Sequence, residues 1–463
     1  MSEIKFTAAQ KRSGVIVGIS TAFITAFAGS ALNLAIPDMG TYFNMGAASV
    51  GWLVTAFSLI VAAFAVPFGK IADTTGRRRV LITGVVTFGL ASVFAVFAVN
   101  TFMIMLARVI QAFGCAMIFA TNMPVAISTF PPEERGKAIG YVTAGVYAGL
   151  SLGPVLGGVL NSNFGWQGIF AFGAFVSVFA LLIIIKGLPK EMIENKESMQ
   201  DSKGNAIYVV MIAAFIYGLT SLNTNKFGFV FIIISVVLGI IFVRTELKTE
   251  KPMIDVRIFA INRTYTLSNI TALFNYSATF GLGYVTSIYL QVVMGLSSQA
   301  AGIVLITQPF FMAILSPKMG ILSDRIAPYK LASAGMGLCA LALVSYVFIG
   351  ENTPLWVVIL ALAVAGIGIA FFSSPNTNVV MGCVPPAKFA VANSILSTMR
   401  TTGQSTGMAI VTIVVSATVG NMSLYEIEPA ALINTIHISF GIFTALCIAG
   451  IFMSMQRAAV KED

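Results

Sequence analysis

Long apolar runs separated by short polar breaks set the rhythm of the chain. A helix of roughly 20 mostly apolar residues, rising about 1.5 Å per residue, crosses a hydrocarbon core about 30 Å thick. It also pairs its own backbone polar groups, which lipid cannot do. Fourteen runs of suitable length can be marked: 14–37, 48–69, 80–98, 102–124, 137–160, 166–185, 206–223, 227–243, 265–290, 299–316, 331–349, 354–376, 389–418 and 433–455. The pattern predicts an all-α integral membrane protein with 14 transmembrane helices.

The runs fall into three groups. Six occupy 1–188 and form one expected bundle, and six more occupy 265–463. Between them, 189–264 opens with a polar stretch, Pro189 to Asn205, and then carries two short spans, 206–223 and 227–243. A tight hairpin, Thr220 to Lys226, joins that pair. The expected layout is therefore 6 + 2 + 6, with an extra helix pair inserted between bundles.

Charge gives an orientation. Lys and Arg concentrate in cytoplasmic loops. With the N-terminus inside, every Lys and Arg falls on the inner side except Lys226, in an outer loop, and Arg108 and Arg400, within spans. Shifting the count by one helix would invert every later loop. Both termini are thus expected in the cytoplasm, and the net charge of +9 follows from topology. It carries no implication of nucleic-acid binding.

Composition agrees. The 463 residues are 57% hydrophobic and 10% charged, with mean hydropathy +0.91, whereas soluble domains carry about 25% charged residues. The first apolar run, behind Lys11 and Arg12, exceeds the roughly 7–15 residues of a secretory h-region. A retained span is expected there rather than a signal peptide. Cys115, Cys339, Cys383 and Cys447 lack CxxC spacing and lie in apolar surroundings, so packing is expected rather than disulfides or a metal.

Short motifs then turn a membrane protein into a candidate transporter. After the second span comes Gly69-Lys70-Ile71-Ala72-Asp73-Thr74-Thr75-Gly76-Arg77-Arg78-Arg79, and a degenerate copy, Gly320-Ile321-Leu322-Ser323-Asp324-Arg325-Ile326-Ala327, follows the corresponding span of the second half. Leu106-Ala107-Arg108-Val109-Ile110-Gln111-Ala112-Phe113-Gly114 lies in the fourth span, and Gly149-Leu150-Ser151-Leu152-Gly153-Pro154-Val155-Leu156-Gly157-Gly158 in the fifth. Trp166-Gln167-Gly168-Ile169-Phe170 opens the sixth, and Ser394 to Gln404 carries Arg400 in the thirteenth. In this order they resemble motif A, motif B and motif C of the major facilitator superfamily, and the layout resembles its fourteen-helix drug:proton antiporters of the multidrug efflux type. The resemblance implies a secondary transporter working by alternating access about a midplane cavity.

Each motif has a physical reading. Gly69 and Gly76 permit close approach and a tight turn. Asp73 can cap a neighbouring helix N-terminus and pair with Arg77 or Arg79. Such a cluster would latch the cytoplasmic side, with Asp324 and Arg325 as a weaker counterpart. Gly149, Gly153, Gly157 and Gly158 leave one helix face bare, which suits backbone-to-backbone contact in lipid, and Pro154 bends the helix. Contact with the other bundle is expected of that face.

Arg108 is costly in a span and should face protein or water, with Gln111 one turn on. Arg400 and Gln404 repeat the arrangement in the second half. The alternative is an arginine snorkelling to the interface. No acid lies mid-span. Phe27 to Pro37 aligns with the family's first-span pattern, matching at Asn33, Ala35 and Pro37, but Ala28 stands where the pattern has Asp. A buried carboxylate is the usual means of exchanging a cation for a proton, because desolvation favours its protonated form. A cavity with positive and no negative charge should favour neutral or anionic lipophiles over cations.

Further wall candidates are Asn122, Tyr141, Tyr147, Asn269, Asn275, Tyr276, Tyr284, Gln308 and Asn376, whose amides and phenols can hydrogen-bond or stack. Asp38 is a candidate peripheral proton site and His437 is expected to pack. The expected protein is a multi-pass exporter of the cell membrane, monomeric and lipid-embedded, driven by protons by resemblance. No cofactor is implied, and the chain has no Walker A sequence for ATP. A dedicated exporter of an anionic metabolite, lipid or antibiotic, and a non-transporting receptor or scaffold, remain alternatives. An enzyme is disfavoured, since no His, Asp or Cys cluster faces a membrane surface.

Overall fold

The structure is a computed structural model that describes residues 7–45, 47–188, 201–221, 227–418 and 429–457. Most of the polar stretch 189–205 and of the hairpin 220–226 lies outside the described residues.

The described chain is helical: α1 (Ala8–Ser30), α2 (Ile36–Tyr42), α3 (Ala47–Thr75), α4 (Arg77–Val96), α5 (Thr101–Ser128), α6 (Arg135–Phe164), α7 (Trp166–Gly187), α8 (Ser202–Ser221), α9 (Gly228–Lys248), α10 (Arg257–Ile261), α11 (Arg263–Ile288), α12 (Ser298–Leu305), α13 (Thr307–Arg325), α14 (Pro328–Val347), α15 (Leu355–Gly382), α16 (Phe389–Thr418) and α17 (Pro429–Met455). Starts follow local chemistry. Thr7 and Gln10 form a capping box at α1, and Asn100 caps α5 through the Met103 N–H at 2.9 Å. Gly76, with φ 118°, turns the chain between α3 and α4, a conformation L side chains resist.

Among the described residues, twelve helices are long and apolar enough to cross a membrane. That is two fewer than the expected fourteen. The expected spans 265–290 and 389–418 form α11 and α16, of 26 and 30 residues, yet neither meets the apolar criterion. The reason is their buried polar side chains, including Ser268, Asn269, Thr271, Asn275, Asn393 and Ser394. Length admits both as spans, while hydropathy does not.

A second difference is at the first span. Instead of one helix over 14–37, α1 ends at Ser30, a 3-10 turn takes Ala31–Leu34, and α2 restarts at Ile36. The span expected at 299–316 likewise divides at Ile306 into α12 and α13.

The chain forms two compact units. The first comprises 1–213, 241–255 and 384–398, and the second 214–240, 256–383 and 399–463. The first unit's core runs from Val17, Ile24 and Phe88 through Leu32, Leu53 and Trp166. In the second, Tyr346, Phe440 and Phe443 pack as an aromatic cluster, with the Tyr346–Phe440 centroids 4.6 Å apart.

Candidate functional site

In the first unit, α5 buries Arg108 in a shell made by its neighbours. Arg108 is 2% exposed. Its Nε–H donates to the Leu53 carbonyl at 3.1 Å and its Nη1 to Gln111 Oε1 at 2.6 Å. The Gln111 amide donates onward to Ser92 Oγ at 2.8 Å. The guanidinium lies over the Phe57 ring, 4.1 Å from its centroid, a cation–π arrangement. Arg108 therefore does not snorkel. No carboxylate is among these partners, and a small void beside the charge is lined by Ala28, Leu32, Phe88, Gln111 and Gly173. Ala28 thus faces the space next to the buried cation.

The motif A cluster is also internal to this unit. Asp73 Oδ1 accepts from Arg77 Nε at 2.9 Å and Nη2 at 2.7 Å. The same carboxylate accepts the N–H of Ala390 at 3.2 Å and of Val391 at 3.0 Å. These are orphan donors of the first turn of α16, where a negative charge also meets the positive end of the helix dipole. Arg77 donates to the Pro386 carbonyl as well and lies over the Phe389 ring. Gly69 is the close approach: a Cβ there would sit 2.9 Å from the Ala390 carbonyl oxygen. Arg77 is 1% exposed, whereas Arg79 is at the surface.

The glycine face of α6 corrects the sequence expectation. Cβ atoms at Gly145, Gly149, Gly153 and Gly157 would all collide with α1 or with Ala31 just beyond it, within the same unit. Ser30 Oγ donates to the Gly149 carbonyl at 3.1 Å across this contact. The face is thus spent on α1. Gly158 is half-buried, and Pro154 sits inside α6. Asn122 accepts the N–H of Met123, Tyr147 is buried and Tyr141 half-buried. Asn33 lies in the 3-10 turn, its side chain outside the described residues. Exposed Asp38 accepts from Asn161.

In the second unit, Arg400 stacks over Tyr276 at 5.0 Å, whose hydroxyl meets Ser373 Oγ at 3.1 Å. Gln404 follows one turn on, half-buried. Asn269 and Asn275 are fully buried, Tyr284 is exposed, and Gln308 sits just past the α12–α13 break with its backbone against Gly366. Asn378 donates to Asp324 Oδ1 at 3.4 Å, Asp324 is half-buried and Arg325 is exposed. His437 contacts the Ile349 carbonyl at 2.7 Å.

Arg457 is the residue the sequence conceals. It follows α17 and resembles any terminal basic residue, yet it is 2% exposed. Its Nη1 donates to Asn376 Oδ1 at 2.7 Å and to Ser268 Oγ at 3.0 Å, and Nη2 to Ser454 Oγ. Asn376 is therefore a positioning partner of Arg457. Burial lowers the guanidinium pKa to about 10, still leaving it charged at neutral pH. The only available hint was its place directly after a long apolar run.

None of the four cysteines is in a disulfide, and no group of three or more His, Cys, Asp or Glu able to hold a metal occurs among the described residues. These features, a helical chain with many membrane-length helices and a buried arginine–glutamine pair behind a capped basic loop, define a membrane transporter class. The Major Facilitator Superfamily model matches residues 18–250 and 268–461, and the chain belongs to that family. Its members are transporters and not enzymes.

Among curated proteins, the chain is 27% identical over 435 residues to the riboflavin transporter RibZ of Clostridioides difficile, covering 94% of each. It is 29% identical over 399 residues to the multidrug resistance protein Stp of Mycobacterium tuberculosis, covering 83% of this chain and 72% of that one. Among solved structures, the human organic anion transporter MFSD10 superposes with TM-score 0.68 at 15% identity, covering 96% and 99%, a likeness of fold.

Proposed function

We propose that this protein is a secondary active exporter of lipophilic small molecules, of the multidrug type, working by alternating access and driven by protons. The observation that carries the cargo class is Arg108, buried without a carboxylate among its hydrogen-bond partners, beside Ala28. A fixed positive charge in a low-dielectric site attracts anionic or electron-rich groups and repels cations. Neutral and anionic lipophiles are therefore the favoured cargo. The family membership and the names multidrug resistance protein and riboflavin transporter among its relatives support a small organic molecule.

The proposal includes α11 and α16 as spans, which restores fourteen and the 6 + 2 + 6 layout of the drug:proton antiporter group. Its parts are a bundle at 1–188, the extra helices within 189–264 and a bundle at 265–463. Both termini then face the cytoplasm, in accord with the Lys and Arg distribution. The cell membrane is the assigned location, and a monomer the assigned state. Asp73, Arg77, Gly69 and Gly76 act as the cytoplasmic latch on α16. Arg108 and Gln111, with Arg400, Gln404 and Tyr276, act as coupling and cargo residues.

A dedicated exporter of one anionic or amphiphilic molecule is the second reading, favoured by the same arginine. The test is uptake into proteoliposomes of anionic, neutral and cationic dyes under ΔpH and Δψ imposed separately. Accumulation of neutral or anionic dyes driven by ΔpH is expected. Cation-only transport, or binding without turnover, overturns the proposal.

A further inference from the structure

Two acidic side chains outside the clusters above meet at the start of α8. Asp201 caps that helix, its Oδ1 accepting the Gly204 N–H at 2.9 Å. Glu246, in the last turn of α9, is 1% exposed, and its Oε2 accepts the Ile254 N–H at 2.9 Å. Each carboxyl thus has one oxygen satisfied by backbone. The other two oxygens, Asp201 Oδ2 and Glu246 Oε1, are buried with no donor. Both point at one spot, since a methyl group on Gly204 would overlap them both.

Two ionised carboxylates so placed repel each other, the more strongly because burial keeps water from screening the charges. Orphaned buried acceptors add a further cost. One proton between them removes the repulsion and satisfies both oxygens through a short, charge-assisted O–H···O⁻ bond. The charged group facing the pair from α3 is Lys70, near enough to feel both acids as well as Asp73 and Lys388. Its ammonium is committed elsewhere, donating to the Pro252 carbonyl at 3.0 Å. The backbone N–H groups of Met253 and Ile254, in the strap after α9, also face Glu246.

We propose that Asp201 and Glu246 form a proton-binding site, holding one proton between Glu246 Oε1 and Asp201 Oδ2. The bound proton ties the start of α8 to the end of α9. Through Glu246 Oε2 it also holds the strap 249–255, which Lys70 fastens to α3 one turn before Asp73 and which Lys388 meets through Asp255 at 3.7 Å. The inserted helix pair thereby becomes a pH-sensitive brace on the motif A cluster. Raising the pH removes the proton, restores the repulsion and releases the strap.

The test is hydrogen exchange of the full-length protein in lipid nanodiscs, followed over the strap 249–255 against pH and corrected for intrinsic exchange. Strap protection should fall by about tenfold, equivalent to ~1.4 kcal/mol, across a single-proton step. Glu246→Gln supplies a permanent amide donor to Asp201, so protection should persist and the step should vanish. An infrared pH titration of the wild type should show the matching protonated-carboxyl band, a readout that survives if the variant does not fold. A wild type with neither step nor band, or a Glu246→Gln protein with an undiminished step, overturns the site. So does protection that changes when Na⁺ is exchanged for K⁺ or choline at fixed pH, which would assign the spot to a metal cation. None of these readouts involves cargo, so a negative result here and a negative dye-transport result are separate outcomes.

Discussion

Asp73 and Arg77 form a buried ion pair one turn apart across the Gly76 bend, with the Arg77 Nη2 to Asp73 Oδ1 distance 2.7 Å. The carboxylate also holds two N–H groups of α16. Breaking such a pair from one side leaves a buried charge alone, at a cost of about 3–5 kcal/mol. Asp73→Ala should therefore lower the thermal unfolding midpoint in detergent and abolish dye export. Asp73→Ala combined with Arg77→Ala should cost less than the sum of the single changes. Strict additivity in that double-mutant cycle would contradict the coupling.

Arg108 lies next to a void that Ala28 fails to fill. Ala28→Asp places a carboxylate beside the guanidinium and neutralises the site. Dye transport should shift from neutral and anionic probes towards cationic ones, by about tenfold in relative rate for ~1.4 kcal/mol. Arg108→Ala should abolish or uncouple export, and Arg108→Lys should restore it poorly, because one ammonium cannot reproduce the fork that serves Leu53 and Gln111. An Ala28→Asp protein with unaltered selectivity would remove Arg108 from the cargo path.

The α1–α6 contact has no spare room. Gly153→Val should destabilise by roughly 1–3 kcal/mol through overpacking, because Ser30 occupies the space its Cβ needs. Gly158→Ala, at a half-buried position off that face, should leave the midpoint unchanged. Parallel thermal scans of both variants decide the matter, and equal losses would mean that the glycine face is not what joins the helices.

Much of this was legible because membrane helices advertise themselves by hydropathy and because motif A carries its own chemistry. The carboxylate of Asp73 as a helix cap follows from residue type and position. The choice of Arg77 over Arg79 does not, since it depends on how Gly76, at positive φ, aims the first turn of α4. The glycine spacing of α6 announces a bare face but not its partner, which is α1. Asp201 and Glu246 look like ordinary loop acids, because only the return of α9 alongside α8 brings them together. Arg457 is hidden for a similar reason: its burial comes from Ser268 and Asn376, remote in sequence. The helices α11 and α16 were expected from the spacing of apolar runs, while their polar residues, many of them buried, keep both below the apolarity of the twelve membrane-length helices.

Arg457 offers the last test. Desolvation lowers its pKa to about 10, below the ordinary guanidinium range, so the folded state binds this proton less tightly than the unfolded chain does. By linkage its contribution to stability is least favourable below about pH 10, where both states carry the charge, and improves only as pH rises above that towards the ordinary guanidinium range. At neutral pH the charge is retained at a cost that its hydrogen bonds must offset. Arg457→Ala strips the donor from Asn376 Oδ1 and Ser268 Oγ, and leaving buried acceptors unpaired costs about 1–3 kcal/mol. Arg457→Met fills the space but leaves the same acceptors bare, so it should recover packing alone. If both variants unfold at the wild-type midpoint and transport normally, the Arg457–Asn376 bond contributes nothing to the second unit.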